Sequence, residues 1–395
     1  LVAQHVEAGT SVEDFRKVAL DELAKRSEAA PIRSAAAVVT RDEADTRREA
    51  MSAALLHQMR PQRVADDPQN PWRGMRLSRL AEECVRLVGR PRPVSPNQLV
   101  ELALSTSDFP YVLANVANKT LLDSYQYAAP TYKRWCKQTT LPDFKQVSRV
   151  RLGEFPGFTL TPEGQPIQFG SVSESREQYN LATYARALTI TRETIINDDL
   201  GAIERMFGEL GVKAALLENL TVYEILNSNP TMGDGAQLFH ANHSNVAGSG
   251  GAISVDTVGV GRAAMMVQKG LDGVTPLNIV PRFLIVPAAL ATKADAFVTA
   301  TSVIYAKQAD VNPFAGRLEV VADAALDGAS ATAWYLAADP MMVPTIEYAY
   351  LEGAQGPQTR LEENVGGRLG VSIFAWLDFA AKAIDWRGLY RNPGA

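Results

Sequence analysis

Apolar residues recur at three- and four-residue steps through the first part of the chain, and the step changes to two further on. Ser11-Val12-Glu13-Asp14 has the spacing of a helix N-cap box, and Val12, Phe15, Ala19 and Leu23 then predict an amphipathic helix. Thr40 to Glu43 repeats the cap spacing before a charged, Ala-rich helix running to about Met59, which three prolines between Pro61 and Pro71 end. Leu77, Leu80, Cys84, Leu87 and Val88 mark a third, shorter helix ahead of Pro91, Pro93 and Pro96. Two further helical stretches follow, one from about Leu99 through Leu104 and one from Tyr111 to Tyr127 with Leu113, Val116, Leu121 and Leu122 facing inward.

Beyond that point Val150 and Leu152, Phe158 and Leu160, Ile167 and Phe169, and Leu188 and Ile190 alternate with polar residues, the mark of strands with one covered face. Pro162-Glu163-Gly164-Gln165-Pro166 supplies a turn, so the flanks predict a long hairpin projecting between about Val147 and Arg192. The longest helical pattern runs from a cap at Asp198 or Asp199 to about Asn227, with Leu200, Ile203, Phe207, Leu210, Ala214, Leu217, Tyr223 and Leu226 on one side. Gly201, Gly208 and Gly211 each weaken it by about 1 kcal/mol against Ala, so it needs packing partners. Asn229 to Gly251 is polar and Gly-rich and reads as a mobile loop. A helix over Asp256 to Lys269, a buried strand over Arg282 to Val286 and a helix opened by Pro287 come next. Ile346/Tyr348/Tyr350 and Val371/Ile373/Ala375/Leu377/Phe379 then read as paired antiparallel strands.

With 395 residues, 46% apolar and 21% charged, the chain is large enough for a substantial core, and neither a disordered protein nor a disulfide scaffold fits. Its charge is unevenly spread. Residues 1–95 hold 16 Lys+Arg and 14 Asp+Glu, so within a total of −5 the leader is near +2 and the remainder near −7. That leaves no cationic surplus for a general nucleic-acid binder. Cys84 and Cys136 are too few for a Cys-rich zinc site and suit a reducing compartment. No apolar run is long enough to anchor the chain in a membrane, and no signal peptide opens it. The first residue is not Met, which leads to the expectation of a processed product or a piece of something longer.

Candidate chemistry is sparse. His5 and His57 read as surface residues, while His240 and His243 form a His-x-x-His near Asp234 that lacks the i, i+4 spacing and intervening Glu of a zincin. Gly248-Ser249-Gly250-Gly251 has neither a Gly-Lys-Ser/Thr ending nor the dinucleotide spacing, and no Gly-x-Ser-x-Gly elbow occurs. Asp198-Asp199 reads as a helix cap and Glu362-Glu363 as a solvated loop. We therefore expect no catalytic residues, metal or cofactor, and expect the surfaces to do the work. A long hairpin with exposed edges and Phe155, Phe158 and Phe169 is stable only when covered, either by another copy of the chain, the natural cover, or by folding back on its own domain.

The order of segments resembles that of the major capsid proteins of tailed phages, more narrowly the Mu-like head subunits and those encoded as fusions to a Clp-type prohead protease. The resemblance rests on Leu113-Ala114-Asn115-Val116-Ala117-Asn118-Lys119, Tyr184 to Glu193, Ile196-Asn197-Asp198-Asp199-Leu200, Leu238 to His243, Phe283-Leu284-Ile285-Val286-Pro287 and Asp385-Trp386-Arg387-Gly388-Leu389-Tyr390. It covers roughly residues 105–390. It implies an α+β fold of the Hong Kong 97 type. The parts carried over are a helical leader over 1–95, scaffold-like or a linker to an upstream protease, and an N-terminal arm over 96–146. An extended hairpin follows over 147–192, then a peripheral domain with a spine helix over 193–244, an axial domain over 245–340 and peripheral return strands over 341–395.

The function implied is that of a shell subunit forming hexamers and pentamers around a double-stranded DNA genome, without sequence-specific DNA binding. The implied partners are copies of itself, a portal, a prohead protease and decoration proteins. The implied location is the virion, after assembly in the bacterial cytoplasm. In that setting the inter-subunit contacts expected are the hairpin aromatics Phe155, Phe158 and Phe169, with Arg149, Arg151, Glu154, Glu174, Arg176 and Glu177 as rim charge that sets register. No Lys occurs between Lys145 and Lys213, so covalent Lys–Asn locking from this hairpin is not expected. An encapsulin-like compartment and a hydrolase built on His240 and His243 are the rival readings.

Overall fold

Small polar residues ahead of the apolar runs decide where helices start. In the computed structural model, which describes residues 43–91, 93–150, 176–270, 275–299, 312–363 and 370–395 together with Lys17 and Gly273, the first four helices are α1 (Glu43–Met59), α2 (Leu77–Leu87), α3 (Pro96–Leu104) and α4 (Asp108–Tyr127). They are followed by α5 (Arg192–Ile196), α6 (Leu200–Ser228), α7 (Val255–Met266) and α8 (Ala291–Thr299). The side chains of Ser95, Thr191, Asp199 and Ser254 accept backbone N–H groups in the first turns of α3, α5, α6 and α7. Each such cap is worth about 1 kcal/mol against Ala. The start of α2 is served from elsewhere: Arg76 offers no side-chain cap, and Leu77 N donates to Asp198 Oδ1 at 2.6 Å.

The strands are β1 (Lys137–Leu141), β2 (Val147–Val150), β3 (Arg176–Tyr179), β4 (Ala182–Thr191), β5 (Pro281–Pro287) and β6 (Glu319–Asp323), then β7 (Trp334–Ala338), β8 (Ile346–Leu351), β9 (Gln358–Glu363), β10 (Gly370–Ala383) and β11 (Leu389–Asn392). The first sheet has the order β1-β8-β10-β4, with β9 also on β10, and the second has the order β11-β7-β5-β6. β1 with β8 and β5 with β6 are parallel; the other pairs are antiparallel. The fold is thus α+β. On β10 the alternating residues Val371, Ile373, Ala375, Leu377 and Phe379 are buried, and α6 lies along that face. Ile203 and Phe207 share one core with Val371 and Ile373, and Val222, Tyr223 and Leu226 share another with Leu377 and Phe379. A third core, with Leu284, Val286, Trp334 and Leu336, is shared with Val258 and Met265 of α7 and Ala294 of α8. α6 also crosses α4 closely: a Cβ at Gly211 would sit 2.3 Å from Leu121 O, so the crossing requires a residue without one.

The helices expected from Thr40 through Asn227 are present, and several boundaries differ from the sequence reading. The chain divides into Leu1–Glu49 and Ala50–Ala395, not at residue 95. In the first unit the described residues are Lys17 and the opening turns of α1, where Arg48 pairs with Asp45. In the second unit the former leader has no core of its own, because Leu55, Leu77, Leu80 and Val85 pack into the core that holds Phe207. Ala182–Thr191, counted in the hairpin, pairs along β10 from Phe379↔Ala182 to Gly370↔Thr191. Leu389–Asn392, counted with the peripheral return strands, pairs with β7 in the second sheet. The alternating runs at Leu152, Phe158, Leu160, Ile167 and Phe169, and the first helix around Phe15, lie outside the described residues.

Candidate functional site

Charged residues in a strand face water unless a partner waits on the covered side, and the short β2–β3 ladder has two such partners. Val147, Ser148, Arg149 and Val150 pair with Tyr179, Gln178, Glu177 and Arg176, on either side of residues 151–175 in sequence. Arg149 Nε donates to Glu347 Oε1 at 2.7 Å and Nη2 to Thr139 Oγ1 at 2.9 Å, while Tyr179 OH donates to the same Glu347 oxygen at 2.5 Å. Glu347 is buried on β8, opposite Lys137 of β1 and Lys382 of β10. Burial pulls the Arg149 guanidinium down and its bonds with Tyr179 and Glu347 outweigh that, so its pKa rises; burial first and the Glu347 carboxylate next lift the Tyr179 phenol. One carboxylate therefore fastens both strands of the β2–β3 ladder to the first sheet.

The second fastening is at Glu177, which is buried and accepts from Gly233 N at 2.7 Å. A Cβ at Gly233 would lie 2.5 Å from Arg176 O, so only glycine lets this backbone reach the strand. Arg149 and Glu177, expected as rim charges for a neighbouring copy, are thus turned to partners within the chain. Arg176 is on the exposed side of β3. Arg151, Glu154, Phe155, Phe158, Phe169 and Glu174 lie outside the described residues. Glu347, Tyr179 and Gly233 were missed by sequence reasoning. The one available signal was a Glu inside the apolar run Ile346-Glu347-Tyr348, and its partners are too distant in sequence to be read locally.

The segment after α6 was expected to be mobile and is closely bonded instead. Asn229 turns the chain at φ +47°, accepts from Phe239 N at 2.7 Å and donates to Phe239 O at 3.1 Å. Asn245 donates to Leu238 O at 2.8 Å and accepts from His240 N at 3.1 Å. His243 is buried, its ring stacked on Trp386 at 4.2 Å; Nδ1 faces Leu238 O at 3.1 Å and Nε2 faces Asp234 Oδ2 at 2.9 Å. His240 Nδ1 accepts from Asn242 N at 3.1 Å. The ring nitrogens of His243 are committed to closing this loop, and among the described residues no group of three or more His, Cys, Asp or Glu could hold a metal ion.

The sharpest electrostatic feature is interior. Glu218 on α6 is wholly buried and accepts from Tyr125 OH at 2.6 Å and Tyr132 OH at 2.7 Å. Both phenols also reach Tyr350 OH, at 3.1 and 3.2 Å, and Lys133 Nζ lies 3.7 Å from the carboxylate. Burial lifts the Glu218 carboxyl above its ordinary range, against the opposing pull of the two phenols and Lys133. Burial first, and then the Glu218 charge, push Tyr125, Tyr132 and Tyr350 upward. This network joins the end of α4, the 3-10 turn at Thr131–Arg134, α6 and β8 and has no exposed member at its centre, so its chemistry is structural.

Comparison with known proteins decides the family. The family described as phage capsid protein matches residues 174–392, more than half of the chain. The chain belongs to the phage capsid protein family. Among curated proteins, none matches this capsid protein. Among solved structures it resembles the capsid of Ralstonia phage GP4, at 12% identity and a TM-score of 0.44, over 67% of this chain and 90% of that one. It also resembles the capsid of Myoviridae phage XM1, at 10% identity and a TM-score of 0.42, over 67% and 91%. A virus-like particle from Pyrococcus furiosus matches at 12% identity and a TM-score of 0.39, over 70% and 97%. The matched family span takes in β3 to β11 and α5 to α8, and so every strand of the two large sheets except β1. No helix among the described residues is long and apolar enough to cross a membrane.

Proposed function

We propose that this capsid protein is the major subunit of a tailed-phage head, with copies arranged as hexamers and pentamers around packaged DNA. The family match over residues 174–392 carries the reading, because it spans the scaffold of the fold rather than an appended module. In this reading α6 is the spine helix, the first sheet with α4 is the peripheral domain, and the second sheet with α7 and α8 is the axial domain. Residues 147–179 form the extended hairpin, whose Phe155, Phe158 and Phe169, with Arg151, Glu154, Glu174 and Arg176, meet a neighbouring copy. Two observations support it. Val212, Leu216 and Leu220, four residues apart on α6, are each more than 40% exposed, a stripe that a free subunit leaves in water. The base of the hairpin is fastened at Glu347 and Glu177, so whatever projects from it leaves the subunit in a set direction.

Many modest contacts then suffice, since a closed shell multiplies them. The net charge of −5 suits an inner wall that does not grip DNA, and a portal, a prohead protease and decoration proteins are the further partners of a head assembled in the bacterial cytoplasm. The proposal assigns the protein no catalytic step. Negative-stain electron microscopy and sedimentation of the expressed protein test it: closed shells or capsomer rings are expected. A protein that stays a ~43 kDa monomer at every concentration and ionic strength tried would sink it. Particles that enclose an enzyme instead of DNA when recovered from phage-producing cells would favour the compartment reading.

A further inference from the structure

The segment from Ala50 to Val88 reads as a leader in sequence, and its side chains say otherwise. Met51, Leu55, Leu77, Leu80, Cys84 and Val85 are each no more than 1% exposed and share one core with Phe109, Phe207, Val371 and Ile373. Cutting this segment away would open the covered faces of α3, α4, α6 and β10 together. Its polar attachments run to the same elements. Arg60, just past α1, donates to Asp123 Oδ2 at 2.5 Å, Ser124 Oγ at 3.0 Å and Glu204 Oε1 at 2.8 Å, joining the connector to both α4 and α6. Arg63 donates to Asp123 at 2.7 Å and lies 4.6 Å over the Tyr127 ring. Asp198, at the entrance to α6, caps α2 through Leu77 N. Removing the segment would therefore leave Asp123 and Glu204 without these cations as well as stripping apolar cover.

We propose that Ala50–Val88 is a permanent wedge of the folded subunit, and that proteolytic trimming of the N-terminus ends in the first turns of α1, upstream of Met51. A protease binds its substrate as extended chain, and extending α1 or α2 means pulling their apolar faces out of a core that also holds α6 and β10. A nick in the exposed stretch Ala65–Gln69 leaves both sides held, one by the α1 face and Arg60, the other by α2.

Limited proteolysis of the full-length protein with a nonspecific protease, read by intact mass and N-terminal sequencing, tests this directly. The N-terminus of the stable product is expected upstream of Met51, and Arg60→Ala, which loosens the clamp without touching the core, is expected to speed cleavage downstream of Met51 by about tenfold. A soluble product starting near Pro96 with an unchanged melting temperature, or an Arg60→Ala variant cut no faster than the parent, would overturn the proposal. In assembled particles the subunit mass should include residues 51–88, and particles built of subunits that lack them would overturn it as well. That second measurement alone rests on the capsid reading. If no particle forms, that reading fails while the cleavage pattern still decides the wedge.

Discussion

Glu218 shows how one residue can carry a pH dependence that no surface group explains. Its carboxylate sits at 0% exposure on α6, stabilised by two phenols and a lysine at the edge, and burial still outweighs them and lifts its pKa. The sign follows from proton uptake. Between the ordinary carboxyl value of 4.5 and the higher folded value, the native state binds a proton that the unfolded chain does not, so stability falls as pH rises through that window and levels off above it. Glu218→Gln removes the titration and keeps an acceptor for one tyrosine. Melting temperatures of parent and variant across pH 4.5 to 7.5 should therefore diverge, with the parent gaining on the variant as the pH is lowered. Parallel curves would contradict the assignment. At this scale the sequence was partly legible: Asp198-Asp199 reads as a helix cap, and Asp199 does cap α6, but nothing local announces that Asp198 caps α2.

Among the elements, α6 explains why a helix of 29 residues tolerates several glycines. Gly211→Ala would drive a Cβ to 2.3 Å from Leu121 O, and because the obstacle is backbone the two helices must move apart, a loss of about 1–3 kcal/mol or more. Gly201 has only Asp199 Oδ1 at 3.7 Å, so Gly201→Ala should instead stabilise the protein by roughly 0.5–1 kcal/mol through helix propensity. Urea unfolding of both variants checks the opposite signs; equal effects would mean that the α4–α6 crossing has room for a methyl group at Gly211. The helices were legible because caps and 3.6-residue spacing are local. The strands were less so, for different reasons. Trp334–Ala338 is buried at every position, which leaves no alternation to read, and Lys137–Leu141 is mostly exposed and polar, a strand only because β8 lies beside it. The segment Asn229 to Gly251 has a loop's composition, yet Asn229, His243 and Asn245 bond its backbone internally, and composition does not carry that information.

For the whole molecule, the hairpin proposed above would take its direction from a subunit in which, among the described residues, three of the four apolar cores lie away from the β2–β3 ladder. Among the described residues, the small core of Leu141, Tyr179, Leu181, Ala349, Ala380 and Ile384 is the one that takes in a residue of the β2–β3 ladder, so in the proposed reading the hairpin's direction depends on the polar fastening at Glu347. Glu347→Ala leaves Arg149 and Tyr179 without their shared acceptor. Because the Arg149 side chain is 31% exposed and can find water, the loss should be about 1–3 kcal/mol rather than that of a fully buried pair. The rest of the fold does not rest on it, so the subunit should remain folded with a modestly lower melting temperature. In the proposed shell, assembly should suffer more than stability, since a hairpin leaving at variable angles would pay its ordering entropy again at every contact. Glu347→Gln, which keeps the shape and one acceptor oxygen, should fall between parent and Ala in both measurements. Calorimetry on unassembled subunits alongside sedimentation of particles separates the two effects. Normal particle yield from a Glu347→Ala subunit of lowered melting temperature would mean that the hairpin takes its direction from its neighbour and not from its own sheet.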